Sequence, residues 1–295
     1  MTVTRRRALM IAAAFASTPL AARTPSRPHT WTGRAFGAEA QITLSGPSER
    51  VERAFAEIQT LLGEVEGALS LYQPSELTRL NATGLLDAPS RHMRAILAAT
   101  DIAYRQTNGL FDPTVQPLWR ALATGGDADA ARILVGWDRV RHTAAQVNLD
   151  AGQALTFNGI AQGYATDAAT AILRGQGFES CLVNIGEYRA IGGPFQLGFS
   201  DPAAGHIGTR TVTDHAIATS SPTALHLGPA HHILSPTGLA PHWSTVTVEA
   251  DTATTADALS TALTLASADI IAELRNVRGI SRVTLVGFDG DVSTI

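Results

Sequence analysis

The residue pair with the clearest chemical potential is Asp257 and Thr261, within the segment Thr255–Leu263. On a helix these two residues lie one turn apart on the same face, so that a carboxylate and a hydroxyl converge. Mg²⁺ prefers oxygen ligands and often takes only one or two from side chains, completing its octahedron with water and substrate phosphate. The spacing therefore suits a hard cation. The structural alternative is that Asp257 complements the helix dipole from the first turn while Thr261 bonds a backbone carbonyl.

A second candidate is the glycine-containing segment Asn158–Asp167, which opens a predicted helix. Glycine lets a ligand approach the backbone closely, and the N–H groups at a helix start suit a phosphate or another anion. The alternative is that these glycines only allow a helix to pack against a sheet. The segment by itself leaves both readings open.

A third candidate is the histidine pair His231 and His232, which leads into a predicted strand and a tight turn. Adjacent residues of a strand face opposite sides of a sheet, so the two imidazoles cannot share one metal ion. One of them could act in catalysis. The alternative is a structural or surface histidine.

The elements that must position these residues follow from hydrophobic periodicity. Apolar residues at spacings of three and four predict a helix from Ser48, its cap, to Leu69, and a second from Ser90 to Thr107 that Asn108-Gly109 ends. Two further predicted helices cover 160–174 and 255–266, and predicted strands cover 182–185, 195–200, 209–213, 216–219, 245–248 and 282–286. Strands grouped in blocks predict an α+β fold with mixed sheets packed against helices.

Composition excludes several functional classes. The chain has 295 residues and a formal net charge of -4 without a basic stripe, which argues against a nucleic-acid partner. Cys181 is the only cysteine, so any metal must use oxygen or imidazole ligands. No Walker loop or GxGxxG fingerprint is present, and outside the first residues no apolar run approaches membrane-spanning length.

The N-terminus has the pattern of an export signal. Arg5-Arg6-Arg7 precedes a short alanine-rich apolar run, and small residues near Ala22 suit signal peptidase. We expect residues 1–22 to be a signal of the twin-arginine type, 23–30 a flexible leader, and 31–295 a single catalytic domain. The mature protein is then expected in the periplasm or otherwise exported.

The order of several segments resembles one family along nearly the whole mature chain, the ApbE family of FAD:protein FMN transferases. The matching landmarks are Leu71–Asn81, Gly109–Val115, Gly159–Ala165, Leu182–Gly186, Ala216–Ser220, His232–Leu234 and Ala256–Leu263. The resemblance implies an ApbE-like fold. It also implies an enzyme that uses Mg²⁺ to transfer FMN from FAD to a Thr or Ser of an exported partner protein, releasing AMP.

The resemblance also implies roles for individual residues. Asp257 and Thr261 would bind Mg²⁺ by their side chains and Gly159 by its carbonyl, and His232 would lie near the reacting diphosphate. Either His232 or Asp257 could accept the hydroxyl proton. The expected flavin and adenine contacts are Tyr72, Leu110, Phe111 and Asp112, together with three positions that depart from the family pattern, Phe36, Thr156 and Gln162.

The departures from the family pattern concern groups on the cofactor side. Phe36-Gly37-Ala38 replaces Met-Gly-Thr, Thr156–Gly159 replaces Asp-Leu-Gly-Gly, Gln162 replaces a lysine, and Asn184–Tyr188 replaces Asn-Ile-Gly-Gly-Asp. A divergent member could instead be a Mg²⁺-dependent FAD pyrophosphatase that yields FMN and AMP. It could also be a flavin-binding or assembly protein without catalysis.

Overall fold

The computed structural model describes residues 28–274 and 279–295. The predicted export signal, 1–22, and the first part of the predicted leader lie outside these residues. The first strand begins at His29, two residues before the predicted start of the fold at Trp31. The leader as predicted is therefore too long at its C-terminal end, because Thr30 already pairs with Thr43 of the second strand.

The chain alternates blocks of helices with blocks of strands. The helices are α1 Ser48–Leu69, α2 Glu76–Thr83, α3 Arg91–Gln106, α4 Gln116–Thr124, α5 Ala128–Arg132, α6 Ala161–Gly175, α7 Ala253–Leu263 and α8 Ala268–Leu274. The strands are β1 His29–Ala35, β2 Ala38–Leu44, β3 Leu85–Asp87, β4 Arg141–His142, β5 Gln146–Asn148, β6 Cys181–Asn184, β7 Tyr188–Ile191, β8 Phe195–Asp201, β9 Gly205–Val212, β10 Ala216–Ser220, β11 His226–Leu227, β12 Ala230–His231, β13 Thr245–Ala250, β14 Ile280–Val286 and β15 Val292–Thr294.

A large antiparallel sheet is the centre of the structure. Its order is β1-β2-β6-β7-β10-β13-β14-β15, which joins strands from both ends of the described chain. Smaller sheets pair β3-β5-β4, β8 with β9, and β11 with β12. The predicted α+β class is confirmed.

The two faces of the large sheet are covered differently, as its alternating side chains require. On β6 and β10, Val183 and Ala218 belong to the helical side, where α6 and α7 pack. Their neighbours Leu182 and Ile217 belong to the other side, which the β8–β9 hairpin covers. Helix α1 packs against α6 from outside. In the described ranges no helix is both long enough and apolar enough to cross a bilayer.

The predicted helix ends are only partly correct. Ser90 caps α3 by accepting the Met93 N–H, and Asn108 and Gly109 have positive φ just beyond its end, as expected. Ser48, however, is the first residue of α1 and not its cap. The cap position is taken by Pro47, which is extended and whose carbonyl accepts the Val51 N–H at 3.0 Å.

The contact between α6 and α7 depends on a glycine. A Cβ added at Gly163 would lie 2.2 Å from the Ala253 carbonyl oxygen and 2.7 Å from Cβ of Asp257. The first of these neighbours is backbone and cannot rotate away. Since α7 also packs on β10 and β13, a side chain at this position would have to separate the two helices or lift α7 from the sheet.

We therefore expect Gly163→Ala to destabilise the fold by about 1–3 kcal/mol in urea unfolding, the range for overpacking a close contact. The matched control is Gly175→Ala at the other end of α6, where an added Cβ meets nothing within 4 Å. This control should be neutral or slightly stabilising, because alanine has the higher helix propensity. Equal effects of the two substitutions would contradict the packing described here.

Candidate functional site

Asp257 is the residue on which the candidate site is built. It lies in the second turn of α7, is 3% exposed, and its Oδ2 accepts the N–H of Gly163 at 2.9 Å. Burial raises the pKa of Asp257 to about 7, the Gly163 N–H opposes this shift, and the charge of Asp167 adds to it. Asp257 is therefore not the first-turn residue of the structural alternative, since it reaches across to the first turn of α6.

Thr261 lies one turn further along α7, as its spacing predicts. Its Oγ1 is 3.2 Å from Oγ of Ser220 at the end of β10, and that oxygen is 2.8 Å from Oγ of Ser260. A Cβ added at Gly159 would lie 2.9 Å from Oγ1 of Thr261, so the backbone of Gly159 passes directly beside this hydroxyl. Thr261 thus bonds a neighbouring hydroxyl and not a carbonyl of its own helix.

These oxygen atoms form a donor set that fits Mg²⁺. A buried carboxylate, a hydroxyl and a nearby backbone carbonyl are hard ligands, and Mg²⁺ fills its remaining positions with water and phosphate oxygens. Within residues 28–274 and 279–295 no group of three or more His, Cys, Asp or Glu side chains could hold a metal ion. The candidate set of Asp257, Thr261 and Gly159 contains one carboxylate and is not a group of that kind.

Sequence reasoning did not assign Glu187 to the site. This residue precedes β7, is 8% exposed, and accepts the Thr219 N–H at 3.2 Å through Oε2. Burial and then the charge of Asp257 raise the pKa of Glu187 well above its ordinary value. The only signal in the sequence was an acid directly after a buried strand and a tight turn.

Asp167 of α6 was also missed, although it fixes the start of α7. Its carboxylate accepts the N–H groups of Ala253 and Thr254 at 2.9 and 2.8 Å and the Thr254 hydroxyl at 2.6 Å. It also pairs with Arg189 of β7 at 2.7 Å. The negative charge at the N-terminus of α7 is favourable to the helix dipole and sets the direction in which Asp257 and Thr261 project.

His232 lies beyond β12, and the strand predicted after it is not formed. The segment bends instead, because the His232 N–H bonds the Leu225 carbonyl at 3.1 Å. Nδ1 faces two carbonyl oxygens, of Pro222 at 3.2 Å and of Leu225 at 3.1 Å. Carbonyls only accept, so Nδ1 carries a hydrogen and Nε2 is the nitrogen able to take up a proton.

Tyr72 borders a cleft that opens beside Asn158, next to the candidate cation ligand Gly159. The side chain is 58% exposed, and its hydroxyl accepts from Asn158 Nδ2 at 3.1 Å, one residue before Gly159. The cleft has a volume of about 490 Å³ and is lined by Leu71, Tyr72, Thr78, Asn81, Ala82, Gln116, Trp119, Arg120 and Asn158. Its size and mixed lining suit an aromatic ligand with polar substituents.

Asp112 has a structural position in the loop after α3. Its oxygens accept the Thr114 N–H at 2.8 Å, the Thr114 hydroxyl and the Trp137 N–H at 3.0 Å, and burial raises its pKa. Phe111 is buried before it, and Leu110 packs against both the α6 and the α7 parts of the core. These predicted contacts thus shape the loop, and Asp112 uses both of its oxygens inside the protein.

The remaining predicted contacts lie in three separate places. Phe36 is the first residue of the tight β1–β2 turn, where its N–H bonds Glu66 of α1 at 2.7 Å. Thr156 accepts the Asn158 N–H at 3.3 Å and so lies in the segment that carries Gly159. The side chain of Gln162 lies over Gly186, where an added Cβ would be 2.3 Å from its Nε2.

Removing the Asp167 carboxylate should loosen α7. Asp167→Ala leaves two N–H groups and Arg189 without their acceptor, and we expect a loss of about 2–4 kcal/mol in unfolding free energy. The control is Asp129→Ala, since Asp129 is exposed in the first turn of α5. A loss for Asp167→Ala no larger than that of the control would show that this carboxylate does not anchor α7.

Comparison with solved structures gives close likenesses in fold. The flavinyl transferase ApbE of Pseudomonas stutzeri, in its apo form, has a TM-score of 0.78 and 23% identity, with 93% of this chain and 97% of that chain covered. The flavin transferase ApbE of Vibrio cholerae gives 0.80 at 23% identity, covering 92% and 97%. The ApbE protein of Thermotoga maritima gives 0.80 at 24% identity, covering 90% and 96%.

Comparison of the sequence itself identifies the family. A search of curated proteins found no significant match. The sequence profile of the ApbE family matches residues 36–283, which is most of the chain and includes the candidate cation ligands, the Tyr72 cleft and His232. The predicted resemblance is confirmed, and the chain belongs to the ApbE family.

Proposed function

We propose that this protein transfers FMN from FAD to a Thr or Ser hydroxyl of an exported partner protein, with Mg²⁺, and releases AMP. Family membership supports a flavin transferase. The observation that carries the proposal is that two oxygen groups one turn apart on α7 both face the start of α6: the Asp257 carboxylate accepts the Gly163 N–H, and the Thr261 hydroxyl lies beside the backbone of Gly159. Such an oxygen set beside an aromatic-sized cleft suits a substrate that joins a flavin to a diphosphate.

The proposed reaction is one displacement at phosphorus. The acceptor hydroxyl oxygen forms a bond to the FMN phosphorus of FAD, and the bond from that phosphorus to the bridging oxygen breaks. AMP leaves with the bridging oxygen and the electron pair, while the hydroxyl proton passes to a base. In such a transfer the protein mainly positions the nucleophile in line and stabilises developing charge.

Asp257, Thr261 and the Gly159 carbonyl would hold the cation. A bound Mg²⁺ supplies charge neutralisation at the diphosphate oxygens. The chain's own contribution is rigidity: Asp257 is fixed by the Gly163 N–H and Thr261 by Ser220, so both oxygens are oriented before the substrate arrives. Orientation in advance avoids reorganisation during the reaction.

His232 is the better of the two predicted proton acceptors. Its Nδ1 faces the carbonyls of Pro222 and Leu225 and so carries a hydrogen, and Nε2 is the ring nitrogen that would accept the proton of the acceptor hydroxyl. Asp257 is instead buried and bonded to Gly163. A carboxylate that binds the cation is a poor base, because the cation lowers its basicity.

We further propose that the acceptor is an exported protein. The support is the sequence of residues 1–22, in which Arg5-Arg6-Arg7 precedes a short apolar run. A twin-arginine signal carries folded cargo, so the enzyme could bind FAD and Mg²⁺ before crossing the membrane.

The activity is tested by incubating the mature protein with FAD, Mg²⁺ and exported proteins from the same cell. We expect flavin fluorescence that remains on a denatured acceptor band, with one AMP released per flavin attached. AMP together with free FMN would identify a pyrophosphatase instead. Neither product would identify a flavin-binding or assembly protein without catalysis.

Asp257→Asn should abolish most of the Mg²⁺-dependent activity. The asparagine oxygen can still accept the Gly163 N–H, so the fold is kept while the negative charge is lost. If the cation stabilises the transition state by several kcal/mol, turnover should fall by about two to four orders of magnitude. Asp269→Asn, exposed on α8, is the control. Turnover of Asp257→Asn equal to that of the control would refute the assignment.

A further inference from the structure

Glu187 is a buried acid that the roles described so far do not use. It is 8% exposed and held from two sides, since its Oε2 accepts the Thr219 N–H at 3.2 Å and its backbone carbonyl accepts the Thr166 hydroxyl at 3.1 Å. Oε1 makes no hydrogen bond to any residue in the described ranges, and it is not among the fully buried oxygens there that lack a partner, so it reaches solvent. This carboxylate oxygen is therefore accessible to a bound ion or to water.

The anchors of Glu187 are neighbours of the candidate cation ligands. Thr219 directly precedes Ser220, whose hydroxyl meets that of Thr261. Thr166 lies on α6 one turn beyond Gly163, whose N–H meets Asp257. The two acids thus approach the same region, Glu187 from the turn before β7 and Asp257 from α7, and each is buried.

No basic side chain offsets these charges. Among residues 28–274 and 279–295, neither Glu187 nor Asp257 forms an ion pair, and the charges that act on them are those of other acids. The adjacent Arg189 is engaged by Asp167 at 2.7 Å. Two buried carboxylates without a countercharge are costly, so the folded protein needs either a bound proton or a bound cation at this position.

We propose that Glu187 supplies the second carboxylate of the cation site, so that one divalent ion neutralises Glu187 and Asp257 together. The inference rests on the proposed function, because the ion is the one held there by Asp257, Thr261 and Gly159. A site with two negative charges favours a divalent over a monovalent ion and binds it more tightly than Asp257 alone could. Glu187 acts either as a direct ligand or through a bound water, which are the two ways carboxylates serve such sites.

The test is a titration of Mn²⁺, followed by electron paramagnetic resonance, with the folded mature protein and no FAD. We expect Glu187→Gln to weaken Mn²⁺ binding by about 10- to 100-fold, the range for loss of a supporting carboxylate. Glu179→Gln, an exposed acid just before β6, should bind Mn²⁺ like the wild type. Asp257→Asn should bind more weakly than either.

Thermal unfolding separates loss of the charge from loss of the fold. Without metal, Glu187→Gln should be at least as stable as the wild type, since its amide oxygen can still accept the Thr219 N–H and a buried like charge is gone. Added Mg²⁺ should raise its Tm less than that of the wild type.

The outcomes distinguish the two proposals. If the wild type binds Mn²⁺ and Glu187→Gln binds it equally well, Glu187 is a protonated structural acid and this inference is wrong, while the cation site of Asp257 and Thr261 stands. If the wild type binds no Mn²⁺, the cation site itself fails, and this inference fails with it.

Discussion

The hydrogen bond from the Gly163 N–H to the Asp257 carboxylate is the interaction on which the site depends. It places the Asp257 carboxylate, which belongs to α7, against the N-terminal turn of α6. The dipole of α6 stabilises an anion at that position. The bond is possible only because residue 163 has no side chain and the Ala253 carbonyl can approach closely. The close contact that packs α6 against α7 therefore also orients the Asp257 carboxylate.

The surrounding elements preserve this constraint. A second contact joins the same two helices the other way round: Asp167 of α6 accepts backbone N–H groups at the N-terminus of α7. The small residues of α7 let the helix lie low on β10 and β13, which brings Ser220 to Thr261. Between β10 and β12 the chain turns back, and the carbonyls of Pro222 and Leu225 there accept a hydrogen bond from Nδ1 of His232. Asn158, the residue before Gly159, connects these proposed oxygen ligands to the edge of the Tyr72 cleft.

Local patterns in the sequence predicted those parts of the structure that local forces decide. The periodicity of α1, the Ser90 cap of α3 and the one-turn spacing of Asp257 and Thr261 follow from helix geometry, and all were found. The strand expected after His232 and the cap expected at Ser48 were wrong. The His232 N–H bonds the Leu225 carbonyl seven residues earlier in the chain, and Pro47 occupies the cap position of α1. The roles of Glu187 and Asp167 could not be predicted, since both depend on which strand lies beside which helix.

The departures from the family pattern also become interpretable on the structure. Gln162, where the pattern has lysine, lies over Gly186 without adding a positive charge beside the buried acids. On the proposal made above, the negative charge of Glu187 and Asp257 would be neutralised by the bound cation.

The central claim is that Asp257, Thr261 and Gly159 bind one divalent cation, and diffraction at the manganese absorption edge from crystals grown with Mn²⁺ tests it most directly. The account predicts one anomalous peak about 2.0–2.4 Å from the Asp257 carboxylate, Thr261 Oγ1 and the Gly159 carbonyl oxygen. Crystals with Mn²⁺ at saturating concentration and no peak there, or a peak only at surface carboxylates, would contradict it.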